Sequence, residues 1–191
     1  MEVYKELKGF VVEKGRLDEY VPPTEESTRW KHWRTIWDLR TCELCKTMHG
    51  KIWGNTDAPE IEPPLHMNCR CVIDSMRSVA IGVATKDGEF GADWWLQTYG
   101  RLPDNYISSQ DLQILGWRWG DSPVKYAPGK MVTMGIYRND NGHLPDAPGR
   151  VWYEADINYY SGKRNGHRIL WSNDGLMFVT YDHYRTFIEV A

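Results

Sequence analysis

The sequence predicts an α+β fold with an antiparallel sheet, and three observations support this prediction. Two short helical segments, residues 91–99 and 108–115, are each followed by a glycine, at positions 100 and 116. From residue 131 onwards, segments of alternating apolar and polar residues are separated by glycine-containing turns. All cysteines lie between residues 42 and 71. Helices followed by short strands are typical of an α+β domain, and clustered cysteines are typical of a small stabilised module.

We therefore predict two units, a small helical and Cys-rich module at residues 1–80 and a larger domain at residues 81–191, whose helices pack on a C-terminal sheet. The chain has 191 residues, 41% hydrophobic and 26% charged, which excludes a disordered or collagen-like chain. No apolar run is long enough to span a membrane, and Met1–Val12 lacks the apolar core of a signal peptide. The net charge of −3 indicates no bulk attraction to nucleic acid.

In the first unit, Thr24 or Ser27 can cap a helix that carries Trp30, Trp33 and Trp37. The spacing of these tryptophans, i, i+3 and i+7, corresponds to one face of a helix. We expect this face to pack into the core.

The cysteines form two pairs, Cys42 with Cys45 and Cys69 with Cys71, and His66 precedes the second pair. A tetrahedral zinc ion needs four such ligands, and two close pairs can supply them. The spacing favours a structural zinc site, in which His66 can replace one cysteine of the second pair. Two disulfides or buried free thiols are the alternatives.

The strings RTIWDLRTCELCKTMHGKIW and EPPLHMNCRCVI resemble the C-terminal part of phage head morphogenesis proteins of the Mu F type. The resemblance covers about residues 28–73 and includes the D-x-x-x-C-x-x-C spacing and Gly50. In that family the segment is often fused ahead of variable domains, including toxins.

In the second unit, alternation along residues 150–159 places Glu154, Asp156 and Asn158 on one face of a strand. The next two segments add further polar side chains: Lys163, Arg164, His167, Arg168, Asp182, His183 and Tyr184. Because a meander places neighbouring strands side by side, we expect a carboxylate, a histidine and two arginines to meet on one sheet face.

Such a set is suited to phosphodiester chemistry. Arginines bind phosphate oxygens, and a carboxylate with a histidine can accept and donate protons near neutral pH. RNA supplies its own nucleophile, the 2′-hydroxyl, so this reaction requires no metal. The alternative is structural: Glu154 as a solvated residue, and Arg164 and Arg168 as an ion-pair network with Asp156.

Residues 89–191 resemble the guanyl-preferring bacterial ribonucleases of the barnase type, with one gap between Trp117 and Pro128. The matching strings are LQTYGRLPDNYIS, LGW, APGK, WYEADINY, SGKRNGHRIL and TYDHYRTF. The resemblance implies a metal-independent endoribonuclease that needs no cofactor. It implies these site residues: Glu154 as general base, His183 as general acid, Arg164 and Arg168 as phosphate ligands, Asp156 positioning the arginines, Tyr184 beside the histidine, and Tyr137, Arg138, Asn139 and Asn141 in the base-binding loop.

Two positions depart from that family. Ser109 stands where the family has an active-site lysine, and Asn141 stands where it has the glutamate that binds guanine. The resemblance therefore leaves the base preference open. We expect Arg150 to join Lys163, Arg164 and Arg168 in a local basic patch that attracts RNA.

The two resemblances together predict the toxin domain of a toxin–immunity pair, delivered or secreted to act in a target cytoplasm. RNA and a proteinaceous inhibitor, of barstar type or similar, are the expected partners. The rival interpretation is a non-catalytic phage structural or nucleic-acid-binding protein with the same fold. A metal-dependent nuclease is a third interpretation.

Overall fold

The computed structural model describes residues 20–191, so the prediction about Met1–Val12 lies outside the described residues. The strands are β1 Glu25–Arg34, β2 Ile52–Gly54, β3 Val72–Val79, β4 Tyr106–Ser108, β5 Met131–Tyr137, β6 Trp152–Asp156, β7 Arg168–Ser172, β8 Met177–Thr180 and β9 Ile188–Val190. The helices are α1 Glu43–Met48, α2 Ala92–Tyr99 and α3 Ser109–Ile114. In this part of the chain, no helix has the length and apolar character needed to cross a bilayer.

One mixed sheet contains all of these strands, in the order β2-β1-β3-β9-β8-β7-β6-β5-β4. Strands β5 to β9 form the expected antiparallel meander. The predicted α+β class is therefore confirmed. Strand β3 pairs in parallel with β9, Ser78 opposite Glu189, so the sheet continues across residue 80. The division into two units at that residue stays a prediction.

The predicted helix through Trp30, Trp33 and Trp37 is wrong, because residues 25–34 form β1, which pairs with β2 on one side and β3 on the other. The strand has an irregular register between Glu26 and Lys31. There the Ser27 hydroxyl accepts hydrogen bonds from the N–H groups two and three residues on, as a helix cap would. The Ser27 side chain therefore stabilises a bulge in the strand by the same hydrogen bonds that would cap a helix. Pairing with two neighbouring strands determines that the segment is a strand.

Both predicted helices of the second unit are present. Gly100 ends α2 in the left-handed conformation, at φ 67°, and the Ser108 side chain caps α3 by accepting from the Asp111 N–H. Leu96 of α2 belongs to a buried apolar cluster with Ala155 and Ile169 of the sheet.

The sheet face opposite α2 carries the polar residues of interest. Trp152 belongs to a second apolar cluster with Phe178, separate from the cluster that contains Ala155. Because side chains alternate along a strand, Glu154 and Asp156 lie on the same face as Trp152. The sheet therefore directs both carboxylates away from α2.

Candidate active site

Two loops bring cationic and titratable side chains to the carboxylates of β6. Arg168, at the start of β7, is paired in register with Asp156. Arg164 lies in the loop between β6 and β7, and His183 lies in the loop between β8 and β9. Neighbouring strands of the meander and the loops that connect them thus supply the carboxylates, the arginines and the histidine.

Asp156 is the buried anchor of this group, with no exposed surface. Its carboxylate accepts hydrogen bonds from Arg164 Nε at 2.7 Å and Nη2 at 2.6 Å. The Nε atom of Arg168 lies 3.1 Å from the same carboxylate, and Nη1 of Arg168 donates to two main-chain carbonyls. One carboxylate therefore fixes two guanidinium groups side by side.

Glu154 lies next to this group and accepts a 2.6 Å hydrogen bond from the Tyr184 hydroxyl. Burial and the charge of Glu154 raise the pKa of Tyr184, so this hydroxyl stays protonated and can keep donating. The Glu154 carboxylate is thereby oriented, and its other lone pairs remain for a further proton donor.

His183 adopts a left-handed backbone, at φ 59°, and its N–H donates to the Gly166 carbonyl at 3.1 Å. Next to it, the Thr180 hydroxyl accepts from the N–H of Tyr184, which also has a positive φ. Burial lowers the pKa of His183, and the positive charges of Arg168 and Arg164 lower it further. The loop therefore holds an imidazole near both arginines.

The carboxylates of β6, the two arginines and His183 are called the arginine cluster below. In the predicted base-binding loop, Tyr137 lies beside this cluster, whereas Asn139 makes a contact within the loop. The Tyr137 ring stacks on Tyr184 at 5.6 Å between centroids, with 16° between planes. The Asn139 side chain donates a hydrogen bond to the Leu144 carbonyl and accepts one from the Leu144 N–H, and these two bonds close the loop. The Asn141 side chain contacts His143, and Arg138 forms an exposed ion pair with Asp140.

Arg150 makes its contacts elsewhere. Its guanidinium pairs with Asp174 at 2.8 Å and donates to the Pro145 carbonyl. Ser109, at the position of the family's lysine, is buried at the first turn of α3. Lys163 is exposed. The predicted basic patch is thus centred on Arg164 and Arg168.

Trp119 contacts the cluster, although no pattern in the sequence predicts a role for it. Its ring lies 5.7 Å from the guanidinium carbon of Arg164. Trp119 falls in the segment where the resemblance has its gap, so no motif identified it. Only its aromatic character in a glycine-bounded loop could have drawn attention to it.

The cysteines gather around Cys45. The ligand atoms of Cys42, Cys45 and His66 lie within 4.8 Å of one another, as do those of Cys45, Cys69 and Cys71. The Cys42 sulfur caps α1 by accepting a hydrogen bond from the N–H of Cys45, and this bond lowers the pKa of Cys42. Burial has the opposite effect on Cys45 and raises its pKa. None of the four cysteines is paired in a disulfide.

The donor set fits a zinc ion. The Nε2 atom of His66 lies 3.3 Å from the Cys42 sulfur and 3.2 Å from that of Cys45, and its Nδ1 atom lies 2.9 Å from the Met67 carbonyl. A carbonyl on the far ring nitrogen is the usual way of orienting a ligating histidine. Sulfur and imidazole donors are the ligands of structural zinc.

Comparison with known proteins gives two family matches. Residues 96–191 match the family model described as ribonuclease, and residues 1–74 match the one described as Phage Mu protein F like protein. A ribonuclease of Heyndrickxia coagulans is 45% identical over 97 residues, which are 50% of this chain and 89% of that relative. Ribonucleases of Bacillus intermedius and Bacillus pumilus are also 45% identical over 97 residues, and the chain spans 60% of their length.

Proposed function

The chain belongs to the ribonuclease family through residues 96–191, and from this membership we propose that it cleaves RNA by attack of the ribose 2′-hydroxyl on the adjacent phosphorus. One observation carries the proposal: Asp156 holds Arg164 and Arg168 together on the sheet face that presents Glu154. A pair of fixed guanidiniums beside a carboxylate matches the charge that develops at a phosphorane.

Glu154 is the general base and His183 the general acid in this mechanism. Glu154 takes the proton from the 2′-hydroxyl, the 2′-oxygen bonds to phosphorus, and the bond from phosphorus to the 5′-oxygen breaks. Protonated His183 gives its proton to the departing 5′-oxygen. Water then opens the 2′,3′-cyclic phosphate with the two roles exchanged.

Arg164 and Arg168 stabilise the non-bridging oxygens. Arg164 uses Nε and Nη2 for Asp156, which leaves Nη1 for a phosphate oxygen. Because both groups are placed before the substrate arrives, little reorganisation is needed during the reaction. These charges supply what a metal would otherwise provide, so we propose that catalysis needs no metal or other cofactor. DNA lacks the 2′-hydroxyl and would bind without being cleaved.

Digestion of RNA in excess EDTA tests this proposal. We expect fragments with 2′,3′-cyclic phosphate and 5′-hydroxyl ends, and mapping those ends also reports the base preference, for which Asn141 replaces the family's glutamate. An intact RNA would favour the non-catalytic nucleic-acid-binding protein. Cleavage that EDTA abolishes would favour a metal-dependent nuclease.

We further propose that the chain is the toxin of a toxin–immunity pair that acts in a target cytoplasm. The match of residues 1–74 to the family described as Phage Mu protein F like protein, ahead of a ribonuclease, supports this interpretation. An inhibitor with an acidic surface would complement the arginine cluster. Expression of the chain should arrest growth, and co-expression of the neighbouring open reading frame should restore it. Unimpaired growth of a strain that contains cleavage-active protein would contradict the toxin role.

We also infer that the cysteine cluster holds a structural zinc ion. Cys45 belongs to both donor groups, so Cys45→Ser should lose the metal, whereas His66 competes with Cys69 or Cys71 for one ligand position. Metal analysis of the purified chain should give about one zinc per chain, the occupancy of a single tetrahedral site. The His66→Ala, Cys69→Ser and Cys71→Ser variants then identify the fourth ligand. Zinc-free protein whose thiols resist alkylation would support disulfides instead.

A further inference from the structure

An exposed aromatic side chain lies against one of the two anchored arginines. Trp119 is 66% exposed, yet its ring centroid lies 5.7 Å from the guanidinium carbon of Arg164. Asp156 holds the Nε and Nη2 atoms of that guanidinium, and the Arg164 side chain is only 15% exposed. An exposed indole is therefore placed next to a guanidinium whose Nη1 atom remains available for phosphate.

The loop that carries Trp119 is well supported. Trp119 packs on Trp117, with ring centroids 5.0 Å apart, and Trp117 is buried with its indole N–H donating to the Asp121 carbonyl. Gly116 and Gly120 bound the loop with positive φ angles of 98° and 94°, which a residue with a side chain rarely adopts. The indole is thus presented to solvent from a defined turn.

We propose that Trp119 forms a stacking subsite for a nucleobase next along the RNA chain from the two that flank the scissile phosphate, an inference that rests on the proposed function. A base that stacks on the indole then belongs to a nucleotide adjacent to the pair joined by the phosphate at Arg164. Base–aromatic stacking is tolerant of sequence, because every base has a π-face. The subsite would therefore increase the preference of the protein for longer substrates, and the choice of base would be left to the loop that contains Tyr137.

The role of Tyr137 differs from that of Trp119 in what each ring contacts. Tyr137 stacks on Tyr184, which bonds Glu154, so it lies on the side of the base catalyst. Trp119 contacts Arg164, a phosphate ligand in the proposed mechanism. Two aromatic platforms thus border different members of the cluster, as expected for a site that binds more than one nucleotide.

The experiment compares kcat/KM for a hexaribonucleotide and for a dinucleotide with the same bases at the scissile step. Trp119→Ala should lower the value for the hexanucleotide by about fivefold to a hundredfold, mainly through KM, and leave the dinucleotide value nearly unchanged. Trp119→Phe should retain part of the effect. Phe90→Ala removes another exposed aromatic side chain, on the short turn Gly88–Phe90, and serves as the matched control.

A second measurement separates this inference from the proposed function. Titration with a non-cleavable 2′-deoxy hexanucleotide should give a Kd for Trp119→Ala that is raised by a similar factor. Cleavage of both substrates with an unchanged ratio between them would overturn the stacking subsite and leave the ribonuclease mechanism standing. Absence of cleavage by the unmodified chain would overturn the mechanism, and the titration would still decide the subsite.

Discussion

Replacing His183 with alanine is expected to lower kcat/KM for RNA cleavage by about 10²–10⁴-fold, the usual contribution of one general acid or base. In the proposed mechanism the imidazole protonates the leaving 5′-oxygen, and the two arginines near it carry no proton that they can release at neutral pH. His183 lies at the protein surface and outside the core, so its removal leaves no cavity in the core. Initial rates on a defined oligoribonucleotide give the comparison.

The backbone of His183 calls for a matched control, because alanine is disfavoured at φ 59°. His183→Asn keeps a residue that tolerates the left-handed region but lacks an acid, so its activity should fall as far as that of His183→Ala. Glu154→Gln should lose activity to a similar extent while its carbonyl still accepts from Tyr184. Wild-type turnover in either His183 variant would contradict the assigned role.

The pH profile provides an independent check on the same residue. A general acid must be protonated, so kcat/KM falls as the pH rises through the pKa of His183. Burial and the charges of Arg168 and Arg164 lower that pKa from 6.5, while Glu154 opposes the shift. The descending limb should therefore lie below pH 6.5. Arg185→Gln removes a further positive charge that lowers the pKa, so it should move this limb to higher pH.

Replacing Asp156 with asparagine is expected to reduce the free energy of unfolding by about 3–5 kcal/mol, because it leaves two largely buried arginines without their counter-charge. Asp156 has no exposed surface and lies within 3.1 Å of both guanidiniums. Asparagine preserves the size of the side chain and removes the charge. Urea unfolding measures the change, and kcat/KM should fall as well, since the arginines are no longer fixed.

Asp174→Asn is the matched control for this substitution. Asp174 also pairs with an arginine, Arg150, but 46% of its side chain is exposed. Solvent screens such a pair, so the loss should be under about 1 kcal/mol. Equal effects of the two substitutions would show that Asp156 is not the electrostatic anchor of the site.

Several elements were predictable because their signals are local. The glycine after α2, the serine before α3 and the alternation along β5 to β9 each act within a few residues. The same alternation places Glu154 and Asp156 on one sheet face. The class of the fold and the composition of the candidate site could therefore be predicted from the order of the residues.

Other features depend on residues far apart in the chain. The segment at Trp30 and Trp33 forms a strand because β2 and β3 pair with it, and Arg150 pairs with Asp174 at the next hairpin. The contact of Trp119 with Arg164 likewise joins two loops that no motif connects.

The amino-acid sequence by itself thus determined the periodicity of each segment, the turns between them and the chemical groups available to the site. The tertiary structure alone decided which strand joins which, which carboxylate each arginine pairs with and which aromatic ring borders the cluster. The physical reason is that periodicity and capping are satisfied within a few residues. The pairings instead join residues far apart in the chain, and each forms only when folding brings its two partners together in preference to other possible partners.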